Sequence, residues 1–211
     1  MQLVENKKRT LHLAWTIATG FFLSNLAFIL TMFFIPTIGA DGKPIVQPIT
    51  MTLGEIQTAM LILGCVALGI KLSEEKKTMP SIGFTMMSIT QSVIFITYTI
   101  SLNSHEGLEE VFKVYMSSMF LLIPSMILIA FYSDFPKWLN ILGVLACIPL
   151  LIENIAYANS GVLTQNLMNL DGIGQLLFSI TAFFWGLWTI RNAKKELKSN
   201  DIKPNEQLHI K

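Results

Sequence analysis

Long apolar runs, each bounded by charged or turn-forming residues, divide the chain into six segments of membrane-spanning length. An α-helix needs roughly 20 apolar residues to cross the hydrocarbon core, at about 1.5 Å of rise per residue. The runs extend from Leu11 to Ile35, Leu53 to Leu72, Ser81 to Leu102, Val111 to Tyr132, Trp138 to Tyr157 and Ile173 to Ile190. They predict an all-α, polytopic transmembrane bundle of six helices. Residues 1–10 form a basic N-terminal segment, 11–192 the bundle and 193–211 a charged tail. The sixth run opens on Asp171-Gly172-Ile173-Gly174-Gln175, whose glycine pair reads as a turn. Pro36 to Thr50 is the longest loop and reads as irregular.

Basic residues orient the spans, because short loops retain them on the cytoplasmic side. With both termini inside, thirteen of the fifteen Lys and Arg residues are cytoplasmic, and only Lys43 and Lys113 lie outside. Trp15, Trp138, Trp185 and Trp188 then fall at the inner headgroup level, and Tyr98, Tyr115 and Tyr157 toward the outer ends. Trp185-x-x-Trp188 accordingly reads as an interfacial anchor. Lys7-Lys8-Arg9 ahead of an apolar run resembles a signal peptide, but about 25 apolar residues make a full span and no small-x-small exit follows.

Composition agrees. At 52% hydrophobic and 14% charged residues, the chain cannot coat a soluble globule of its length. No basic stretch is interleaved with groove-reading or stacking elements, which excludes nucleic acid as a partner. Cys65 and Cys147 each lie alone in an apolar run and read as compact hydrophobes. Pro124 and Pro149 fall mid-span and remove backbone hydrogen bonds there. Thr16, Gly20 and Ser24, and Ala182 with Gly186, recur at four-residue spacing and read as sites of close helix packing.

Polar residues inside spans are costly and carry the candidate chemistry. Glu55 lies about a turn inside the outer end of span two, where a carboxylate can still reach headgroups. Glu153 has the same depth in span five, but Ile152, Ile155 and Ala156 surround it and Asn154 follows. It reads as facing the bundle and taking part in ligand or ion binding, the alternative being a shallow carboxylate that reaches headgroups. Asp171 and Gln175 share this depth, whereas Asn25 and Gln91 lie deeper. Glu153, Asn154, Glu55, Gln91, Asn25 and Gln175 are thus the candidate ligand-binding set, lining a vestibule open to the outside. His105, Glu106, Glu109 and Glu110 make the third external loop acidic, which reads as a solvated connection.

Enzyme readings lack residues. His12, His105 and His209 lie at a helix end, in a loop and in the tail, so no pair can ligate haem in mid-membrane. No span holds a Lys for a Schiff base, a Ser and His pair for proteolysis or an acidic cluster for a metal. No catalytic residue, cofactor or metal is expected.

Phe135-Pro136-Lys137-Trp138-Leu139-Asn140-Ile141-Leu142-Gly143 resembles the Pro-Arg-Trp-Leu-x-x-Leu-Gly opening of span five in the bacterial domain of unknown function 4386 family. The basic N-terminus, Pro36, Gly54-Glu55 at span two and Trp188 followed by Arg191 are similar in layout. The resemblance implies a six-span protein of a bacterial inner membrane and supplies no catalytic residue. Two functions remain in view: a small-solute transporter or ligand-binding protein of the cell membrane, taking a small molecule or ion, and a non-catalytic regulatory, sensory or immunity-type protein acting on a membrane protein partner.

Overall fold

The computed structural model describes the backbone of residues 2–34, 37–38, 44–45, 47–103, 108–162 and 164–206, and the side chains of 8–34, 47–102, 113–162 and 164–198. Its elements are α1 (Gln2–Thr31), a 3-10 turn (Met32–Phe34), β1 (Thr37–Ile38), β2 (Pro44–Ile45), α2 (Pro48–Glu74), α3 (Thr78–Asn103), α4 (Leu108–Met119), α5 (Leu122–Tyr132), α6 (Lys137–Ser160) and α7 (Gln165–Glu206). Six helical spans are long and apolar enough to cross a membrane, with α4 and α5 sharing the fourth. The molecule is an all-α, multi-pass membrane bundle.

Neighbours in sequence are neighbours in space. α1 packs on α2, α2 on α3, α3 on α4 and α5, α5 on α6, α6 on α7, and α7 returns to α1, closing a ring. Tight connections force the antiparallel order: residues 75–77 join α2 to α3, and Gly161, at φ 64°, caps α6. Leu26, Ile29, Ile56, Ile89, Ile96 and Ile141 stay exposed around the outside, as lipid contact requires. Inside, backbones approach closely. A Cβ on Gly20 would lie 2.6 Å from the Gly64 nitrogen, so α1 and α2 meet backbone to backbone. Gly186 likewise admits Ala18 and Phe22 of α1, and Ser24 is buried, whereas Thr16 is exposed and bonds back to the His12 carbonyl.

One end of the ring is basic. There Arg9 pairs with Glu74, Lys71 with Glu75, and Lys77 bridges Glu75 at 2.7 Å and Asp134 at 2.8 Å. Burial pushes the Glu75 carboxyl up, but hydrogen bonds from Lys71 and Lys77 outweigh it and leave it below its ordinary value of 4.5. Burial pulls Lys77 down, and its bonds to Asp134 and Glu75 reverse that, holding it above its ordinary 10.5.

Four sequence expectations are corrected. Span four is two helices, broken at Phe120–Leu121, because Pro124 lacks the N–H and crowds the carbonyl four residues back; it lies in the first turn of α5. Pro149, by contrast, stays within a continuous α6. Asp171 to Gly174 is helical, not a turn, since α7 already starts at Gln165. Gly174 serves packing there: a Cβ would lie 2.6 Å from Leu150 Cγ of α6. Trp185 is no interfacial anchor. It is 1% exposed and sits 4.9 Å from the Phe84 ring, with Phe21, Phe135 and Phe178 around it. Its place on the inward stripe of α7, beside Phe178 and Ala182, decides this, while Trp15 and Trp138 are half exposed. Finally, Thr37–Ile38 pairs antiparallel with Pro44–Ile45, so the first loop carries a short ladder, and α2 starts at Pro48. His105, Glu106 and the side chains of Glu109 and Glu110 lie outside the described residues, as does His209.

Candidate functional site

Most buried polar groups have local partners. Thr58, Thr90, Ser125, Thr181 and Thr189 return their hydroxyls to carbonyls three or four residues back, which is how membrane helices satisfy them. Such groups carry no ligand chemistry. The exception lies at the end of the bundle opposite the basic one.

There α6 turns Leu150, Glu153 and Tyr157 inward at three- and four-residue spacing, below Leu139, Gly143 and Ala146 on the same stripe. Glu153 is 1% exposed and faces the Asp171 carboxyl of α7. One turn along α7, Gln175 donates its Nε2 to Tyr115 Oη at 3.0 Å, and Tyr115 donates to Asp171 Oδ1 at 3.2 Å. Tyr115 comes from α4. Tyr98 of α3 adds a second phenol within electrostatic reach of Asp171, and its ring lies so close over Gly54 of α2 that a Cβ there would be 2.7 Å away. Five side chains from four helices thereby gather at one end of the bundle interior.

The charge balance of this cluster is one-sided. Among the described residues, no basic side chain acts on either carboxyl. No described donor reaches Glu153 Oε2, and Asn154 Oδ1 is equally unpartnered although its Nδ2 donates to the Leu150 carbonyl at 2.6 Å. A carboxylate only accepts hydrogen bonds, so two carboxyl groups in contact need a proton or a cation between them. Deeper along the axis, Phe178 and then Trp185 with Phe84 fill the bundle interior toward the basic end. The indole Nε1 of Trp185 has no described partner.

Of the residues expected from sequence, Glu153 and Gln175 enter this cluster, with Asn154 beside it in α6. Three do not. Glu55 is half-buried at the α2–α3 seam, accepting from Thr99 Oγ1 at 2.8 Å. Asn25 binds within the α1–α7 seam, accepting from Ser179 Oγ at 2.6 Å and donating to the Phe21 carbonyl at 2.8 Å. Gln91 is buried on α3, and no hydrogen bond ties it to the cluster among the described residues. Among the described residues, no hydrogen bond joins Glu55, Asn25 or Gln91 to the carboxyl pair. The two phenols were missed: they read as outer-belt tyrosines, and only the spacing Tyr115, Met119, Leu122, Met126 marks one of them as inward-facing.

Among the described residues no three metal-ligating side chains gather. No family model, curated protein or solved structure matches the chain. A functional reading therefore stands on the cluster itself.

Proposed function

We propose that this chain is a small-cation-binding membrane protein, of transporter or receptor type, whose site is the Glu153–Asp171 pair with Tyr115, Gln175 and Tyr98. The observation that carries this reading is a pair of carboxyl groups meeting inside an apolar bundle with no basic partner among the described residues. Taking two like charges out of water together is strongly unfavourable, so the pair holds a proton when empty and exchanges it for a cation of matching size. Tyr115 and Gln175 orient Asp171. Glu153 Oε2 has no partner among the described residues.

The positive-inside bias supports a cytoplasmic basic end, with the carboxyl pair then in the outer half of the cell membrane. Kinship with the bacterial domain of unknown function 4386 family, on residues Phe135 to Gly143, and an inner-membrane address belong to the same reading.

Thermal unfolding of the purified protein, screened over alkali, divalent and organic ammonium cations in weak buffer, tests it. The expected result is a saturable rise in midpoint for one cation class, with proton release, absent in Glu153→Gln. A protein that responds to none and copurifies with another membrane chain would instead be the non-catalytic partner protein.

A further inference from the structure

The outward face of α7 carries a second chemistry, remote from the carboxyl pair. Ile173, Leu176, Ile180, Phe183 and Leu187 recur at three- and four-residue spacing and are all exposed to the surroundings of the bundle. The same stripe continues past Ile190, but its character changes. Arg191, Lys194, Lys195 and Lys198 keep the spacing, are exposed, and line one shallow groove together with Leu187 and Ile190. At about 100° per residue, Glu196 falls on the opposite side of the helix, so no carboxylate interrupts the stripe. Ala193 is fully buried, which fixes the rotation of α7 and holds the basic stripe outward.

The groove is apolar where the helix still lies in hydrocarbon and cationic where it leaves. That is the division of an anionic phospholipid. We propose that this groove is a binding site for one such lipid, with an acyl chain along Leu187 and Ile190 and the phosphate held among Arg191, Lys194, Lys195 and Lys198. Arg191 can fork two donors onto phosphate oxygens, while the lysines act as point charges around it. A zwitterionic lipid brings its own cation against the stripe, and a free phosphate has no chain for the apolar half. The site stands or falls independently of the carboxyl pair.

Native mass spectrometry of the full chain in detergent tests the proposal, with phosphatidylglycerol, phosphatidylcholine and inorganic phosphate as separate probes. Phosphatidylglycerol should be retained over phosphatidylcholine by about tenfold or more, and inorganic phosphate should not displace it. Each basic residue near a membrane surface contributes roughly fivefold to the affinity for anionic lipid. Lys194→Gln/Lys195→Gln/Lys198→Gln should therefore lose the preference, and the single Lys195→Gln should weaken it in part. All three side chains are exposed, so the fold tolerates their exchange. The control is Lys8→Gln/Lys76→Gln/Lys137→Gln, which removes the same charge from exposed positions of the same end and should keep the lipid. Equal loss in the control means diffuse attraction and overturns the site. So does retention in the stripe variant, or displacement by phosphate alone.

Discussion

Glu153 of α6 and Asp171 of α7 meet carboxyl to carboxyl, while Tyr115 donates to Asp171 at 3.2 Å from a third helix. A contact of this kind requires a shared proton in the absence of a cation. Glu153→Gln supplies an amide donor against Asp171, so the variant should fold and keep or raise its thermal midpoint. The protonated-carboxyl stretch in infrared spectra of the wild-type protein should disappear in it. Persistence of that band in the Glu153→Gln/Asp171→Asn variant would place the proton elsewhere and remove the basis of the cation site.

The six spans were legible because lipid makes one demand of every helix, a run of about 20 apolar residues. Facing was not. Glu153 and Glu55 have equivalent depth, and only the apolar neighbours Ile152, Ile155 and Ala156 hinted that Glu153 is the enclosed one, while Glu55 bonds Thr99 at a helix seam. In lipid the outside is as apolar as the inside, so hydrophobic periodicity does not report which side of a helix faces the bundle interior. Trp185 was misread for the same reason: a tryptophan near a span's end suits the headgroup level or the core equally until Phe84 and Phe135 are seen to surround it. Tyr98 packs over Gly54, a pairing between two helices that neither segment announces alone.

Small residues make the ring closable, and their substitution should separate packing glycines from spectators. Gly20→Ala forces a Cβ to within 2.6 Å of the Gly64 backbone, which cannot yield without moving a helix. A loss of about 1–3 kcal/mol is expected. Gly172 has nothing within 4 Å of its would-be Cβ, so Gly172→Ala should be neutral or stabilise α7 by up to about 1 kcal/mol. Thermal or denaturant unfolding in one detergent measures both. Equal effects would contradict the α1–α2 contact.

At the basic end, Glu75 joins Lys71 and Lys77, and Lys77 reaches on to Asp134 in the α5–α6 connection. Because the folded carboxyl lies below its ordinary 4.5, its contribution is present above that value and is lost as the pH falls through the depressed pKa. Lys77, held above 10.5, contributes below that value and loses its contribution only as the pH rises through the raised one. The thermal midpoint should thus decline on acidification below about 4.5, more steeply in the wild type than in Glu75→Gln. Parallel acid limbs in the two proteins would show that the network does not couple these connections.

Trp185 and the rings around it fill the bundle interior between the carboxyl pair and the basic end, which makes this residue a test of both packing and passage. Trp185→Phe discards an indole N–H that has no described partner while retaining an aromatic ring, so it should cost less than about 1.5 kcal/mol. Trp185→Ala leaves a cavity among Phe21, Phe84 and Phe135 and should cost about 3–5 kcal/mol. Fluorescence distinguishes the buried indole from the lipid-facing ones. Brominated lipids should quench Trp15 and Trp138, which are 48% and 52% exposed, and should leave Trp185 nearly untouched. In liposomes loaded with a pH-sensitive dye, Trp185→Ala should also leak protons or small cations if the carboxyl pair is one station on a path through the ring, because the aromatic barrier beneath it is then missing. A tight Trp185→Ala bundle that still binds cations at Glu153 would make the site a receptor with no path through the membrane.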